Sequence, residues 1–220
     1  VLRRILSKFR RLGPKVPQRS KDELHAYWRT ANDAANAPEL YLGAKESQKK
    51  RSSFLVELAS SQVGHDASIL ELGCNVGRNL HYLHQAGFTN LHAIEINADA
   101  LQLLRKSFPD SAATAKIHCG TIEDNIRSFG DGQIDLIFTM AVLEHIHNDS
   151  DFVFKDMVRV GKKIMTVEDE RSHSERHFPR NYRTIFESLG MVQASEIPLT
   201  QDKHGLSTSF VARVFRRATC

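Results

Sequence analysis

The 220-residue sequence predicts an α/β fold: a seven-stranded, mostly parallel sheet with helices on both faces and an antiparallel last strand. Three observations predict it. After residue 68, short apolar runs alternate with helical patterns, the rhythm of βαβ units. The stretch Ser68–Asn79, S-I-L-E-L-G-C-N-V-G-R-N, reads as a buried strand, a glycine turn and the start of a helix. The last two strand-like runs, M-V-Q-A-S-E-I and S-T-S-F-V-A-R-V-F, have no helical pattern between them, so they pair as a hairpin-like antiparallel end to the sheet.

Taken in order, residues 1–12 place Leu2, Ile5, Leu6, Phe9 and Leu12 at helical spacing with basic residues between them. This basic amphipathic pattern has two readings: attachment to an anionic membrane surface, or a terminal helix packed on its own domain or a partner. Gly13-Pro14 and Pro17 end it. In residues 22–42, Asp22 is expected to cap a short helix carrying Leu24, Tyr27 and Trp28; with Tyr41, these aromatics either anchor the segment to the core or form a lid over a ligand. A helix is expected over 44–61. Strands are expected at 68–72, 91–96, 116–119, 134–139, 161–168, 191–197 and 207–215. Helices are expected at 78–86, 98–107, near 124–128, 149–158 and 179–189, with Gly87 and Gly190 at helix ends. The implied organisation is a basic segment over 1–21, a helical cap or lid over 22–61, and the main domain over 62–220.

Composition limits the function classes. The net charge of +4 belongs to the start of the chain: residues 1–21 hold eight basic residues and no acid, leaving 22 basic against 26 acidic residues in the body. The basic balance therefore does not argue for nucleic acid as a partner. No run approaches the ~18 apolar residues of a membrane-spanning helix. The start is basic but has no continuous apolar stretch, so no secretory signal is expected. Cys74, Cys119 and Cys220 have neither metal-ligand nor disulfide spacing, and the expected setting is cytoplasmic, with a peripheral membrane contact if residues 1–21 attach.

The chemistry begins at the glycine turn. A strand that ends in glycines before a helix presents backbone N–H groups to a ligand. Glu95 ends the next strand, 18 positions after Gly77. A carboxylate there suits both hydroxyls of a ribose, through two charge-assisted hydrogen bonds. A nicotinamide dinucleotide is the main competitor, but its turn requires G-x-G-x-x-G around a pyrophosphate. This turn has two glycines and Glu71 before them. A carboxylate there repels a pyrophosphate and suits a cationic ligand.

E-L-G-C-N-V-G, then A-I-E-I-N, then D-L-I-F-T-M-A-V-L-E-H-I together resemble the class I S-adenosylmethionine-dependent methyltransferases, most closely in style their small-molecule branch. The resemblance covers about residues 52–215 and implies a Rossmann-like fold with S-adenosyl-L-methionine as cofactor. It departs at Asn75, where the common motif has glycine; asparagine tolerates positive φ better than most residues.

The resemblance implies that Glu71, Gly73, Asn75 and Gly77 line the methionine part of the cofactor. Glu95 would take the ribose and Ile96 the adenine. Thr121, Ile122 and Glu123 would lie near the adenine ring, with Glu123 equally readable as a helix-start acid. Met140 and Ala141 would touch the cofactor from the other side. His145 would face the reacting centre as general base, with Glu144 as the alternate. The loop after strand five offers His173, His177 and Arg180 for the acceptor, beside Glu168, Glu170 and Arg176. His173 and His177 are four apart but lack a third ligand in the pattern, so no metal is expected.

The expected reaction is direct methyl transfer to a small-molecule acceptor, at oxygen. The strand-four motif T-M-A-V-L is not the Asn-Pro-Pro-Tyr type used on amide and exocyclic nitrogens, and no cysteine sits there to attack a pyrimidine. A lipid- or glycan-linked acceptor at a membrane and a non-catalytic scaffold are the alternatives. Oligomeric state is not legible.

Overall fold

The computed structural model describes residues 17–172 and 174–218, so the amphipathic pattern of residues 1–12 lies outside the described residues. The sheet has seven strands: β1 (Ile69–Leu72), β2 (Leu91–Glu95), β3 (Lys116–Cys119), β4 (Ile134–Met140), β5 (Gly161–Asp169), β6 (Met191–Pro198) and β7 (Phe210–Arg217). Their order is β3-β2-β1-β4-β5-β7-β6, and only β7 runs antiparallel to its neighbours. The order reverses between β1 and β4. At such a switch point the connections leave in opposite directions and open a crevice beyond the strand ends.

The helices are α1 (Lys21–Arg29), α2 (Glu46–Ser60), α3 (Arg78–Gln85), α4 (Ala98–Ser107), α5 (Pro109–Thr114), α6 (Ile122–Asn125), α7 (Phe152–Val160), α8 (Tyr182–Ser188) and α9 (Gln201–His204). Two apolar layers cover the two faces of the sheet. One joins Leu55, Leu80, Leu101, Phe138 and Met165; the other joins Leu70, Ile137, Phe154, Tyr182 and Phe186. The alternation of strand side chains divides them: Phe138 and Met165 enter one layer, Ile137 and Ile164 the other. The same alternation puts Glu71 on the face of Ile69, towards α3, and Glu168 on the face of Ile164, towards α8.

Four local features differ from the sequence reading. Ser20, not Asp22, caps α1: its side chain accepts from the Glu23 N–H, and Glu23 reaches back to the Ser20 backbone. The hydroxyl forms a reciprocal box that an acid in the first turn cannot. Helix α5 was not anticipated, because a single turn opened by Pro109 is too short to show a period. Between β4 and the helix expected at 149–158 the chain makes a 3₁₀ turn, Leu143–His145, which the sequence reading did not include. Finally, the one-turn helix α9 separates β6 from β7, closed by Gly205 at φ +71°.

Candidate active site

A cavity of about 420 Å³ opens at the switch point, at the C-terminal ends of β1, β2 and β4. Its floor is the turn after β1. Gly73 and Cys74 both donate backbone hydrogen bonds to the Ile94 carbonyl, at 2.8 and 3.3 Å, which binds the turn to β2. Asn75 sits at φ +49°, the left-handed conformation its residue type tolerates. Its N–H donates to Glu95 Oε2 at 2.7 Å, and the Asn97 N–H donates to Glu95 Oε1 at 2.8 Å. Glu95 is thus fixed at the cavity wall with lone pairs left over, since a carboxylate offers about four acceptor sites. Burial raises its pKa, and those backbone donors oppose the shift.

Glu71 is held from α3 and α2. Asn79 Nδ2 donates to Glu71 Oε1 at 2.8 Å, and Ser52 Oγ donates to Asn79 Oδ1 at 2.9 Å. Arg78 Nε donates to the same Ser52 hydroxyl at 2.9 Å and Nη1 to the Tyr41 carbonyl at 3.1 Å. Burial pushes the Glu71 pKa up to about 8, against the Asn79 hydrogen bond and the Arg78 charge.

The roof is α1 and the chain that follows it. His25 Nε2 lies 3.0 Å from Glu123 Oε1, which also accepts from Ser150 Oγ at 2.8 Å. Trp28 packs its ring 4.7 Å from that of His145. Arg19 pairs with Glu175 at 2.8 Å. These contacts tie the segment to the loops after β3, β4 and β5.

Of the residues expected at the cofactor, Glu71, Gly73, Asn75, Glu95, Ile96, Thr121, Ile122, Glu123, Met140 and Ala141 all line this one cavity. Gly77 does not. It starts α3 at φ +68°, and a Cβ there would stand 2.1 Å from Leu104 of α4, so its glycine serves helix packing rather than the ligand. Gly73 has the converse role: a Cβ would meet Val142 at 2.7 Å, in the cavity wall.

The acceptor candidates divide. Trp28, Tyr41 and His145 line the cavity, whereas Tyr27, Glu144, His177 and Arg180 do not. Tyr27 bonds Asp33 and lies under the Arg176 guanidinium, 4.3 Å from its ring centre. Arg180 is occupied by Asp151 at 2.8 Å and by the Leu143 and Phe178 carbonyls, so it clamps the turn rather than facing an acceptor. His173 lies outside the described residues. Sequence reasoning missed Arg51, Arg78 and Asn79, which line the cavity from α2 and α3. Arg78 and Asn79 follow the glycine turn directly; Arg51 had no comparable signal.

Beside the cavity, His145 Nδ1 lies 2.9 Å from the Arg176 carbonyl. A carbonyl only accepts, so Nδ1 carries the proton and Nε2 presents a lone pair. Burial lowers the His145 pKa to about 4. Glu144 is 3% exposed; its Oε2 accepts from the Asp169 N–H at 2.5 Å. Burial, reinforced by the neighbouring Glu168 charge, pushes its pKa up to about 10. Glu168 accepts from the Val142 and Leu143 N–H groups, both at 2.9 Å, and so shapes the turn that carries His145.

Two buried acceptors in the cavity wall, Glu71 Oε2 and Asn75 Oδ1, have no protein partner, and neither has the Trp28 indole N–H in the roof. Orphaned acceptors next to a carboxylate suit a ligand with ammonium donors, and Glu95 suits the hydroxyls of a ribose. Residues 70–164 match the family described as "Methyltransferase domain". The chain carries a methyltransferase domain, with S-adenosylmethionine as its cofactor. No curated protein matches the sequence significantly. Among solved structures, the [4+2]-cyclase SpnF superposes with a TM-score of 0.69 at 10% identity, over 94% of this chain and 100% of that one. Magnesium protoporphyrin IX methyltransferase from Synechocystis PCC 6803, with bound S-adenosylhomocysteine, gives 0.68 at 12% identity, over 90% and 100%. Geranyl diphosphate C-methyltransferase from Streptomyces coelicolor A3(2) gives 0.62 at 13%, over 93% and 100%. At these identities the likeness is one of fold, and a cyclase among the neighbours shows that the fold alone does not name the reaction.

Proposed function

We propose that the enzyme transfers a methyl group from S-adenosylmethionine to an oxygen of a small-molecule acceptor, by direct in-line displacement. The observation that carries this reading is the shape of the cavity: one space runs from Glu71 and Glu95 to His145 and lies beneath α1. A roofed chamber suits a small acceptor; a polymer needs an open groove. The magnesium protoporphyrin methyltransferase shares this fold with an acceptor of that class.

The cofactor supplies an electrophilic methyl on a sulfonium. The residues bind and align. Glu71 and Asn75 take the cationic methionine end, and Glu95 the ribose hydroxyls. Ile96, Thr121 and Ile122 enclose the adenine, with Glu123 at its edge. Met140 and Ala141 set the distance to the reacting end. Alignment of this kind can lower a barrier by roughly 7–11 kcal/mol. His145 presents an unprotonated Nε2 near the reacting end, placed to receive a proton from an acceptor hydroxyl. Trp28 and Tyr41 bound the acceptor space.

Incubation of the protein with methyl-labelled cofactor and a metabolite extract is the deciding experiment. A labelled methyl ether or ester is the expected product. A labelled amine, thioether or C-methyl compound overturns the oxygen assignment, and labelled RNA or protein overturns the small-molecule one. A lipid-linked acceptor is favoured by the basic amphipathic pattern of residues 1–12. That reading requires the full chain to sediment with anionic vesicles and a chain lacking residues 1–21 to stay in solution; equal sedimentation refutes it.

A further inference from the structure

Glu144, His145 and His177 come from two connections that the sequence separates by more than thirty residues: the 3₁₀ turn after β4 and the loop after β5. Their ligand atoms converge. Glu144 Oε1 lies 3.8 Å from His145 Nε2 and 3.8 Å from His177 Nε2, and the three atoms fall within 4.8 Å of one another. We propose that this triad binds a divalent transition-metal cation at the acceptor end of the cavity, with coordination positions left for an acceptor oxygen.

The orientation of each ligand supports the assignment. His145 Nδ1 is fixed by the Arg176 carbonyl at 2.9 Å, and His177 Nδ1 by Ser174 Oγ at 2.5 Å. A metal-binding histidine characteristically uses its second nitrogen in this way to aim the ring; the Arg176 carbonyl also sets the His145 tautomer, while the Ser174 hydroxyl, able to donate or accept, orients His177. Glu144 is fixed through Oε2 by the Asp169 N–H, leaving Oε1 towards the imidazoles. Three independent partners thus turn three donor atoms to one point.

The acidic surroundings are a second observation. Glu168 is fully buried beside Glu144, and its Oε1 has no hydrogen-bond partner. Packing acids together without a counterion is costly, and a divalent cation supplies the missing positive charge.

The donor set selects the metal. Two imidazoles and one carboxylate suit zinc, iron or another first-row divalent ion; magnesium and calcium favour all-oxygen shells. Bonds of about 2.0–2.2 Å place tetrahedral ligand atoms about 3.3 Å apart, so the two 3.8 Å edges must contract by roughly half an ångström and the third, within 4.8 Å, by up to about 1.5 Å. Side-chain rotation at His177, on a loop, can supply this. Three protein ligands leave the shell open, the arrangement of a site that also takes substrate or water. His145 also lines the cavity, so the triad adjoins the acceptor space. The cation takes the Nε2 lone pair that would otherwise serve as base, and lowers the pKa of a coordinated hydroxyl instead. This last role rests on the oxygen-transfer reading; the metal site itself does not.

Calorimetric titration of chelator-treated full-length protein with Zn²⁺, Mn²⁺ and Co²⁺ tests the site. One cation per chain is expected for at least one of them. His177→Asn and His145→Asn should each weaken it by roughly tenfold or more, and Glu144→Gln likewise, while His65→Asn, against Phe88, leaves it unchanged. Parallel titration with S-adenosylmethionine reports on the fold of every variant: His177→Asn, outside the cofactor wall, should keep cofactor affinity. No stoichiometric cation with wild type overturns the site, as does wild-type affinity in His177→Asn. Neither result touches the methyltransferase reading, which the cofactor titration tests separately.

Discussion

At the scale of single residues, the site depends on carboxylates placed where burial opposes their charge. Replacing Glu95 by alanine removes both oxygens proposed to take the ribose and the anchor for the Asn75 and Asn97 N–H groups. Charge-assisted hydrogen bonds contribute about 1.5–3 kcal/mol each, so cofactor affinity should fall by about 100-fold or more in calorimetry. An unchanged dissociation constant would remove Glu95 from the ribose site. Glu71 gives a sign that can be checked. Its folded pKa, about 8, lies above its ordinary value. The folded state therefore holds a proton that the unfolded state has lost, and this group's effect on stability turns unfavourable as pH rises from about 4.5 to 8. A cationic ligand favours the ionised carboxylate, so cofactor binding should release a proton near pH 7. Calorimetry in buffers of different ionisation enthalpy reads that release directly; proton uptake, or none, would refute the pairing. At His145, alanine should lower kcat by about 10²–10⁴-fold with cofactor affinity retained. A retained rate would show that neither proton transfer nor a cation at Nε2 matters.

At the scale of elements, Gly77 and α1 carry different kinds of constraint. Gly77 joins the cofactor turn to α3 at a point where Leu104 fills the space of a side chain. Gly77→Ala imposes an unfavourable φ and a clash, a cost of about 1–3 kcal/mol. A fall in Tm should therefore accompany it, and Gly77→Ala with Leu104→Ala should not be additive in their losses, because the second change empties the space the first one fills. Full additivity would show that backbone strain acts alone. Helix α1 is attached by side chains: its capping box sets where it starts, and His25, Trp28 and Arg19 fasten it to Glu123, His145 and Glu175. Hydrogen exchange should show α1 opening before the sheet, and cofactor should slow that opening more in wild type than in Trp28→Ala. Equal protection in both would mean that Trp28 does not hold the roof closed.

At the scale of the whole molecule, the sheet order brings the ends of β1, β2 and β4 to one crevice, with α1 and the segment leading into β7 at its rim. Chain segments far apart in sequence therefore line one cavity. Any ligand bound only by the folded state stabilises it by RT ln(1 + [L]/Kd). Thermal denaturation should accordingly rise with S-adenosylmethionine and keep rising beyond saturation; a flat response would contradict the cofactor site. Antiparallel β7, buried between β5 and β6, closes this frame from the side opposite the cofactor turn.

The sequence alone determined the alternation of strands and helices and the antiparallel close, because each depends on local spacing: period two and period 3.6. Ten residues that line the cavity were named by resemblance to a family rather than by spacing. The sequence also indicated the positive φ at Asn75. Tertiary structure decided the rest. Gly77 reads the same as Gly73 in sequence, and only the neighbour of each, Leu104 or Val142, separates packing from lining. Arg51 enters the wall from a helix whose distance from the turn no spacing encodes. Glu144 reads as an alternate base, yet the turn after β4 rotates it away from the cavity and towards His177. Which groups meet across connections depends on how loops fold over a finished sheet, and that is set by long-range packing rather than by neighbours along the chain.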